Sequence, residues 1–524
     1  MTLPPSIPPR ATSLLPRRRP IAVAVAAVAA LGLVLTGCAT DTGDSSASAP
    51  TTQVLTLASD ITPWFDHDQI PSGGAGNQIW SAVYDTLLTT DADGEVVPNA
   101  AESFEINADN TMITLTLREG MSFTDGTAVD GDAVKANLDD FISGTHAEAG
   151  KLAGATVELI DERTVSVTVP QPTAGLAEYL TGAPGALVSP KTMNASTAAT
   201  DPIGSGPYVL DQGDTTTGSR YSFTRNEDYW NADAFPYDSV VFKILADPTA
   251  RNNALKSGQV DGGNVLLANA ADVESAGVTL LEAYVTFAGL VIGDRDGQQV
   301  PALGDVRVRQ AINMVFDREG IATGLYGGLA APTTQVFSVD TPAYEATSDD
   351  RYEYDLAAAK KLMADAGYAD GFQVTVPNVA GVTDLGNPLV VQQLGLLGIT
   401  VTLESEDAQK AFPDLAQGRW PMAYMSIETG SNVKTVTDLV SASGWLNFKH
   451  TSDSELDSLI ATFQSAQGEA QAEASREIND WLIDNAWFAP WVTTTSFYGL
   501  GEDVTALIAP GALLPRLASF APAS

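Results

Sequence analysis

Few residues in this sequence are of a kind that makes or breaks bonds. There are three histidines and one cysteine in 524 residues. His67 stands between Asp66 and Asp68 as a base flanked by carboxylates, but at a loop position it is expected to be solvated. His146 and His450 stand in no Ser or Cys nucleophile motif. Gly204-Ser205-Gly206 is too short for a nucleophile elbow, and Pro207-Tyr208-Val209 after it reads as a turn into a strand. The chain holds no His-Glu-x-x-His, no Gly-Lys-Ser/Thr phosphate loop and no full Gly-x-Gly-x-x-Gly. One cysteine excludes an intramolecular disulfide and a thiolate zinc site, and three histidines argue against a multi-His metal centre. Neither a metal nor a cofactor is therefore expected. Among 65 Asp and Glu residues, no pair is singled out as an acid/base dyad. An acidic secreted hydrolase would need a Ser/His/Asp set assembled from distant segments, and it stands only as an alternative.

The elements that must carry any binding groups belong to a large, acidic chain. Its 27 Lys and Arg give a net charge of −38, which argues against nucleic-acid phosphate and against anionic lipid. Hydrophobic residues make up 44%, ample for a core, and the length implies two or more domains or one large two-lobed unit. The first residues read as an address. Arg10 and Arg17-Arg18-Arg19 precede an apolar stretch from Ile21 to Leu35, shorter than the ~20 residues a membrane span needs. Leu35-Thr36-Gly37-Cys38 resembles the lipobox of bacterial lipoproteins, which makes residues 1–37 a signal peptide and Cys38 the lipidation site. Residues 38–51, rich in Ser, Thr, Ala and Asp, read as a flexible tether. The expected location is the outer face of the cell membrane, held by lipid on an extracellular or periplasmic protein.

The body alternates strand and helix. Val54 to Leu57 opens it, and Ile113, Leu115 and Leu117 alternate with threonines as a half-buried strand, as do Val165, Val167 and Val169. Asp132 is the expected cap of a helix carrying Val134, Leu138 and Phe141. Asp305 is the expected cap of a long helix with Val308, Ile312, Val315 and Phe316, and Asp355 of the next, which Gly367 ends. Strand Phe372–Val376, a helix capped by Asn387 with Pro388 at its first turn, and strand Ile399–Leu403 form a βαβ unit. That unit predicts a doubly wound α/β second half.

A run of motifs in order resembles one family. These are Tyr84-Asp85-Thr86-Leu87-Leu88, Asp93-Gly94-Glu95-Val96-Val97-Pro98, Leu117-Arg118-Glu119-Gly120 and Phe123-Thr124-Asp125-Gly126-Thr127. Gly204-Ser205-Gly206-Pro207-Tyr208, Arg225-Asn226 with Tyr229-Trp230, and Ala254-Leu255 with Gly258 and Asp261 follow. Asp305 to Ile312, Asp317-Arg318 and the helix ending Ala366-Gly367-Tyr368 complete it. Together they are similar to the bacterial extracellular solute-binding proteins of family 5, the oligopeptide, dipeptide and nickel group serving ABC importers.

The resemblance implies a two-lobed periplasmic-binding-protein fold, type II and of the larger class with an extra subdomain, with ligand in the cleft between lobes. It places lobe I at 52–285 with an inserted subdomain at about 85–200, lobe II at 286–489, and a return to lobe I at 490–524. The crossovers are expected near Ala283–Val291 and Ala486–Val492. The implied function is capture of a small solute, peptide or peptide-like first, by lobe closure and delivery to an ABC importer permease. The expected protein is a monomer and not an enzyme. An oligosaccharide or an opine-like conjugate on the same scaffold is the alternative. Signature residues such as Asp125, Gly206 and Arg225 are expected to be scaffold. By placement on loops after strands, the ligand-binding candidates are Trp64, Asn264, Tyr284, Asn378, Glu428, Trp445 and Asn447. Peptide binders of the family carry a Trp-x-Ala-Asp-Tyr-like stretch whose Asp meets the ligand ammonium. Here the matching stretch, Met425 to Asn432, has no Asp, so either Glu428 takes that role or the role is absent.

Overall fold

The computed structural model describes residues 53–523. The expected signal peptide 1–37, the expected lipidation site Cys38 and the expected tether 38–51 lie outside the described residues.

A nine-stranded mixed sheet organises the chain. Its first part is parallel, with Val54–Ser59 between Ser239–Ile244 and Gly262–Val265. Leu55, Leu57 and Ala58 are buried because a strand inside a parallel sheet is covered on both faces. Arg220–Arg225 and Tyr208–Leu210 extend one edge in antiparallel fashion. On the other side come two long antiparallel strands, Phe488–Leu500 and Thr279–Ile292, and then Met422–Glu428 at the far edge.

A separate antiparallel sheet runs in the order Ala101–Ile106, Met112–Leu117, Thr164–Thr168, Thr156–Asp161. Ile113, Leu115 and Leu117 are fully buried while Thr114 and Thr116 are half-buried, as their alternation requires. Helix Gly131–Ser143 packs on this sheet and buries Val134, Leu138 and Phe141. Its cap is Asp130, not Asp132: the Asp130 carboxylate accepts from the Ala133 amide at 2.9 Å. The helix starts at Gly131 because the chain there lies against the sheet, where a Cβ would stand 2.3 Å from Leu159 Cδ1.

In the second half Asp305 caps Val306–Met314 as expected, but the long helix ends there. Asp317 caps a new helix, Arg318–Gly324, and Val315 and Phe316 are buried in the link between them. Asp355 caps Leu356–Asp365, and Gly367 ends it at φ +87°. Strands Gln373–Asn378 and Thr400–Ser405 pair in parallel across helix Asn387–Gly395, which is the βαβ unit. They form a two-stranded sheet of their own, so the doubly wound expectation is corrected: Met422–Glu428 pairs with the long strand instead. The helix cap is Gly386, not Asn387, whose buried amide turns inward to Pro377 O at 2.9 Å and Thr383 Oγ1 at 3.0 Å.

Four buried arginines, Arg251, Arg295, Arg309 and Arg318, bind carbonyl oxygens and act as internal staples. Arg318 alone reaches Thr333 O, Pro490 O, Asn313 O and Tyr352 O. Burial lowers its pKa to about 10, which leaves it protonated at neutral pH. Arg309 and Arg318 belong to the motif segments and serve the scaffold, as do Asn226 on Gly206 O and Asp261 on the Thr56 amide.

Candidate functional site

The two long strands carry the chain across the middle of the sheet. Thr279 lies opposite Leu500 and Val291 opposite Phe488, with irregularities between Ala283 and Thr286 and between Ala288 and Gly289. Gly262–Val265 flanks Phe497–Leu500 at one end, whereas Met422–Glu428 flanks Thr286–Ile292 at the other. Residues 279–285 have only the opposing long strand as partner. Within strand Thr279–Ile292 that stretch alone is paired on one side only, and Tyr284 lies in it.

Three of the predicted residues, Trp64, Asn264 and Asn378, stand at or just after the carboxyl ends of parallel-paired strands. Asn264, in strand Gly262–Val265, donates to Asp60 at 3.2 Å. Trp64, on the loop after Val54–Ser59, is 44% exposed. Tyr284 donates its hydroxyl to Glu282, and that bond, reinforced by burial, raises its pKa. Asn378 ends its strand and accepts from Asn387 at 3.1 Å. Glu428 ends Met422–Glu428, opposite Thr286, and pairs with Lys434 at 3.3 Å. Trp445 is 55% exposed, and its indole bonds the Asp438 carboxylate. Asn447 is fully buried, and its amide is committed to Val440 O, Ser441 O, Thr451 and Arg295. Its place is under the 440–451 loop.

Glu428, Trp445 and their partners belong to a seam where residues 148–179 meet residues 428–445. Ser431 donates to Glu178 at 2.6 Å. Glu148 pairs with Lys151 at 2.5 Å and accepts from the Ser72 hydroxyl and amide. Lys151 also sits 5.4 Å over the Tyr179 ring. On the opposite side a short π-wound turn, Thr435–Val440, presents Asp438; such turns are frequent at functional sites. Close approach of the two sides depends on Gly175, where a Cβ would fall 2.5 Å from Val433 Cγ1. Burial pushes up the pKa of Glu178 and of Asp438, more than Lys151 and Lys434 offset. Burial acts on Glu148 too, but Lys151 and the Ser72 bonds outweigh it and hold its carboxyl below the ordinary value. Four carboxylates, Glu148, Glu178, Glu428 and Asp438, thus face two ammonium groups. The chemistry suits a polar solute with a cationic group, with Trp445 offering an exposed aromatic face. Sequence reasoning found Glu428 and Trp445 here. Glu148, Lys151, Glu178, Lys434 and Asp438 were missed, and only Lys434 has a local signal, the glycine–polar run Thr429 to Thr435.

The histidines are engaged elsewhere. His67 is buried, with Nδ1 2.9 Å from Asp140 Oδ2, which corrects the solvated-loop expectation: the 61–72 loop packs onto helix Gly131–Ser143. His146 faces Ile70 O and accepts from the Glu148 amide, and His450 faces Ala442 O. Among the described residues no group of three or more His, Cys, Asp or Glu could hold a metal, and no helix is long and apolar enough to cross a membrane.

Comparison with known proteins agrees with this architecture. The profile of bacterial extracellular solute-binding proteins, family 5 (middle), matches residues 95–442. The glutathione-binding protein GsiB of Shigella flexneri serotype 5b is 26% identical over 488 residues, covering 88% of this chain and 92% of that protein. The ABC transporter substrate-binding protein CtaP from Listeria monocytogenes superposes with a TM-score of 0.76 at 22% identity, over 90% of this chain and 99% of CtaP. The binding protein AgaA from A. tumefaciens R10, solved with agropinic acid, superposes at 0.73 and 22%, over 90% of this chain and 99% of its own. The fold is the two-lobed, mixed α/β periplasmic-binding-protein fold built on a large sheet. The chain belongs to the bacterial extracellular solute-binding proteins of family 5.

Proposed function

We propose that this protein captures a small peptide or peptide-like solute between its two lobes and delivers it to an ABC importer. Lobe I is 52–285 with its subdomain at about 85–200, lobe II is 286–489, and 490–524 returns to lobe I. The stretch around Tyr284 is the hinge, because it is paired on one side only and its register is irregular between Ala283 and Thr286. The observation that carries this reading is the seam, where Glu178 and Asp438 are half-buried with too few cations around them. A solute ammonium group entering beside Glu428, Glu178 and Asp438 supplies the missing charge. Trp64, Asn264, Asn378 and Trp445 then contact the rest of the solute. The name of GsiB, a glutathione-binding protein, favours a short peptide. AgaA with its bound agropinic acid favours the second reading, an opine-like conjugate. The protein acts as a monomer, held to the outer face of the cell membrane by lipid on Cys38.

The test is a thermal-shift screen with di- to pentapeptides, glutathione, opine-like conjugates and oligosaccharides. A ligand at 100 times its Kd stabilises by about 2.7 kcal/mol. A shift with free-amine peptides that N-acetylation removes supports the peptide reading, and a shift with sugars alone overturns it. Deleting the neighbouring permease tests delivery, since uptake of the solute should stop.

A further inference from the structure

Away from the seam, the small antiparallel sheet grips the opposite lobe through a group of hydrogen bonds that involves no solute-facing atom. The tight turn between Ala101–Ile106 and Met112–Leu117 is held by Asn107, whose side-chain oxygen accepts from the Thr111 and Met112 amides at 2.8 and 3.0 Å. Asn110 takes the left-handed conformation in that turn, φ +52°, which Asn tolerates better than most residues. Its side chain is 2% exposed and donates to Gln464 O at 3.0 Å and Ala466 O at 2.8 Å. Those carbonyls end helix Ser454–Ser465, where intrahelical partners run out. Gln467 returns the contact, donating to Asn107 O at 2.9 Å and to Asn110 Oδ1 at 2.6 Å. The Ala174 amide donates to Gln464 Oε1 at 2.9 Å, and the Thr173 amide ties this loop back to Asn110 O. Partners 290 to 360 residues apart in sequence make these bonds.

Helix Glu469–Asp484, which follows the gripped turn, is fastened to lobe II. Asn479 donates to Gln335 and Ala343 O, and Tyr352 donates to Ile483 O. We infer that Asn110, Gln464 and Gln467 form a closure clasp, by which the subdomain holds lobe II shut independently of solute. This rests on the two-lobe binding reading above and adds positioning residues remote from the ligand. The clasp raises the closed population of the solute-free protein, so the affinity for any solute is set partly by residues that never touch it.

The test uses the full chain with Cys38→Ser, which removes the only native thiol, and spin labels on cysteines placed at exposed Glu158 and Lys360. Distances between the labels report the lobes directly. Asn110→Gly keeps the left-handed backbone while removing the side chain, and Gln467→Ala removes the reciprocal donors. The expected result is a mainly closed solute-free protein whose closed-to-open ratio falls about tenfold in either variant. Thermal unfolding should show both variants folded. A distribution that ignores both substitutions yet narrows when the peptide panel is added overturns the clasp and leaves the binding reading intact. A distribution that responds to neither substitution nor panel overturns both.

Discussion

Two carboxylate sites in this molecule contrast sharply, one fully buried and one half-buried. Asp85, in a family motif, accepts from Asn99 at 2.7 Å, Trp230 at 3.0 Å and Tyr229 at 3.3 Å, and Arg516 lies near it. Burial raises its pKa to about 6, but its hydrogen-bonding capacity is filled. Glu178 and Asp438 at the seam are also raised by burial, yet Glu178 has one hydroxyl donor and two distant lysines. The first site is complete without a ligand, while the second is short of positive charge. Carboxylates with full donor sets hold a fold together, and carboxylates with unmet demand await a partner.

The largest effect that could break this contrast is at Asp85. Asp85→Ala strands two ring donors, the Asn99 amide and a buried guanidinium, and should lower unfolding stability by about 4 kcal/mol in denaturant titration. A loss under 1 kcal/mol would put Asp85 outside the scaffold. Its titration has a definite sign. A folded pKa above the unfolded value gives stability that is present below about pH 4 and lost as pH rises through about 6. Compared with Asp85→Asn, which does not titrate there, the wild type should therefore lose about 3 kcal/mol between pH 4 and pH 7. A stability difference that stays flat across that window contradicts the burial argument.

At the seam the expectation reverses. Glu178→Gln still accepts from Ser431 and removes a half-buried charge whose pKa is raised, so stability at pH 7 should hold or rise slightly. Affinity for an amine-bearing solute should fall by about thirtyfold, on the order of 2 kcal/mol, as read by calorimetric titration. A variant that loses stability but keeps affinity would make Glu178 a scaffold residue like Asp85. The smallest effect is at Trp445. Trp445→Ala should change stability by less than about 0.5 kcal/mol, since the ring is exposed, and weaken binding of solutes with apolar side chains by a few-fold.

The same contrast explains what was legible in the sequence. Alternation at Ile113, Leu115 and Leu117, the caps Asp305 and Asp355, and the βαβ unit around Asn387 are local patterns, and local physics fixes them. The misplaced caps at Asp132 and Asn387 arose where tertiary contact decided the start, at Gly131 against Leu159 and at Gly386 against Tyr424. His67 read as solvated because its partner, Asp140, is 73 residues away. Motif residues such as Arg318 and Asn226 were expected as scaffold and bind backbone carbonyls. The seam was nearly invisible because Glu178 and Ser431 are 253 residues apart and neither segment carries a periodic pattern. Glu428 and Trp445 were reached through strand ends and loop position, whereas Lys151 and Asp438 have no local mark at all.

The most direct test of the central claim is calorimetric titration of wild-type protein and Glu178→Gln with glutathione and short peptides, each in free-amine and N-acetylated form. A seam that receives a cationic solute predicts binding to at least one free-amine member, with loss on acetylation and a matching loss in the variant. Equal affinity for free and acetylated forms, unchanged by Glu178→Gln, would contradict it.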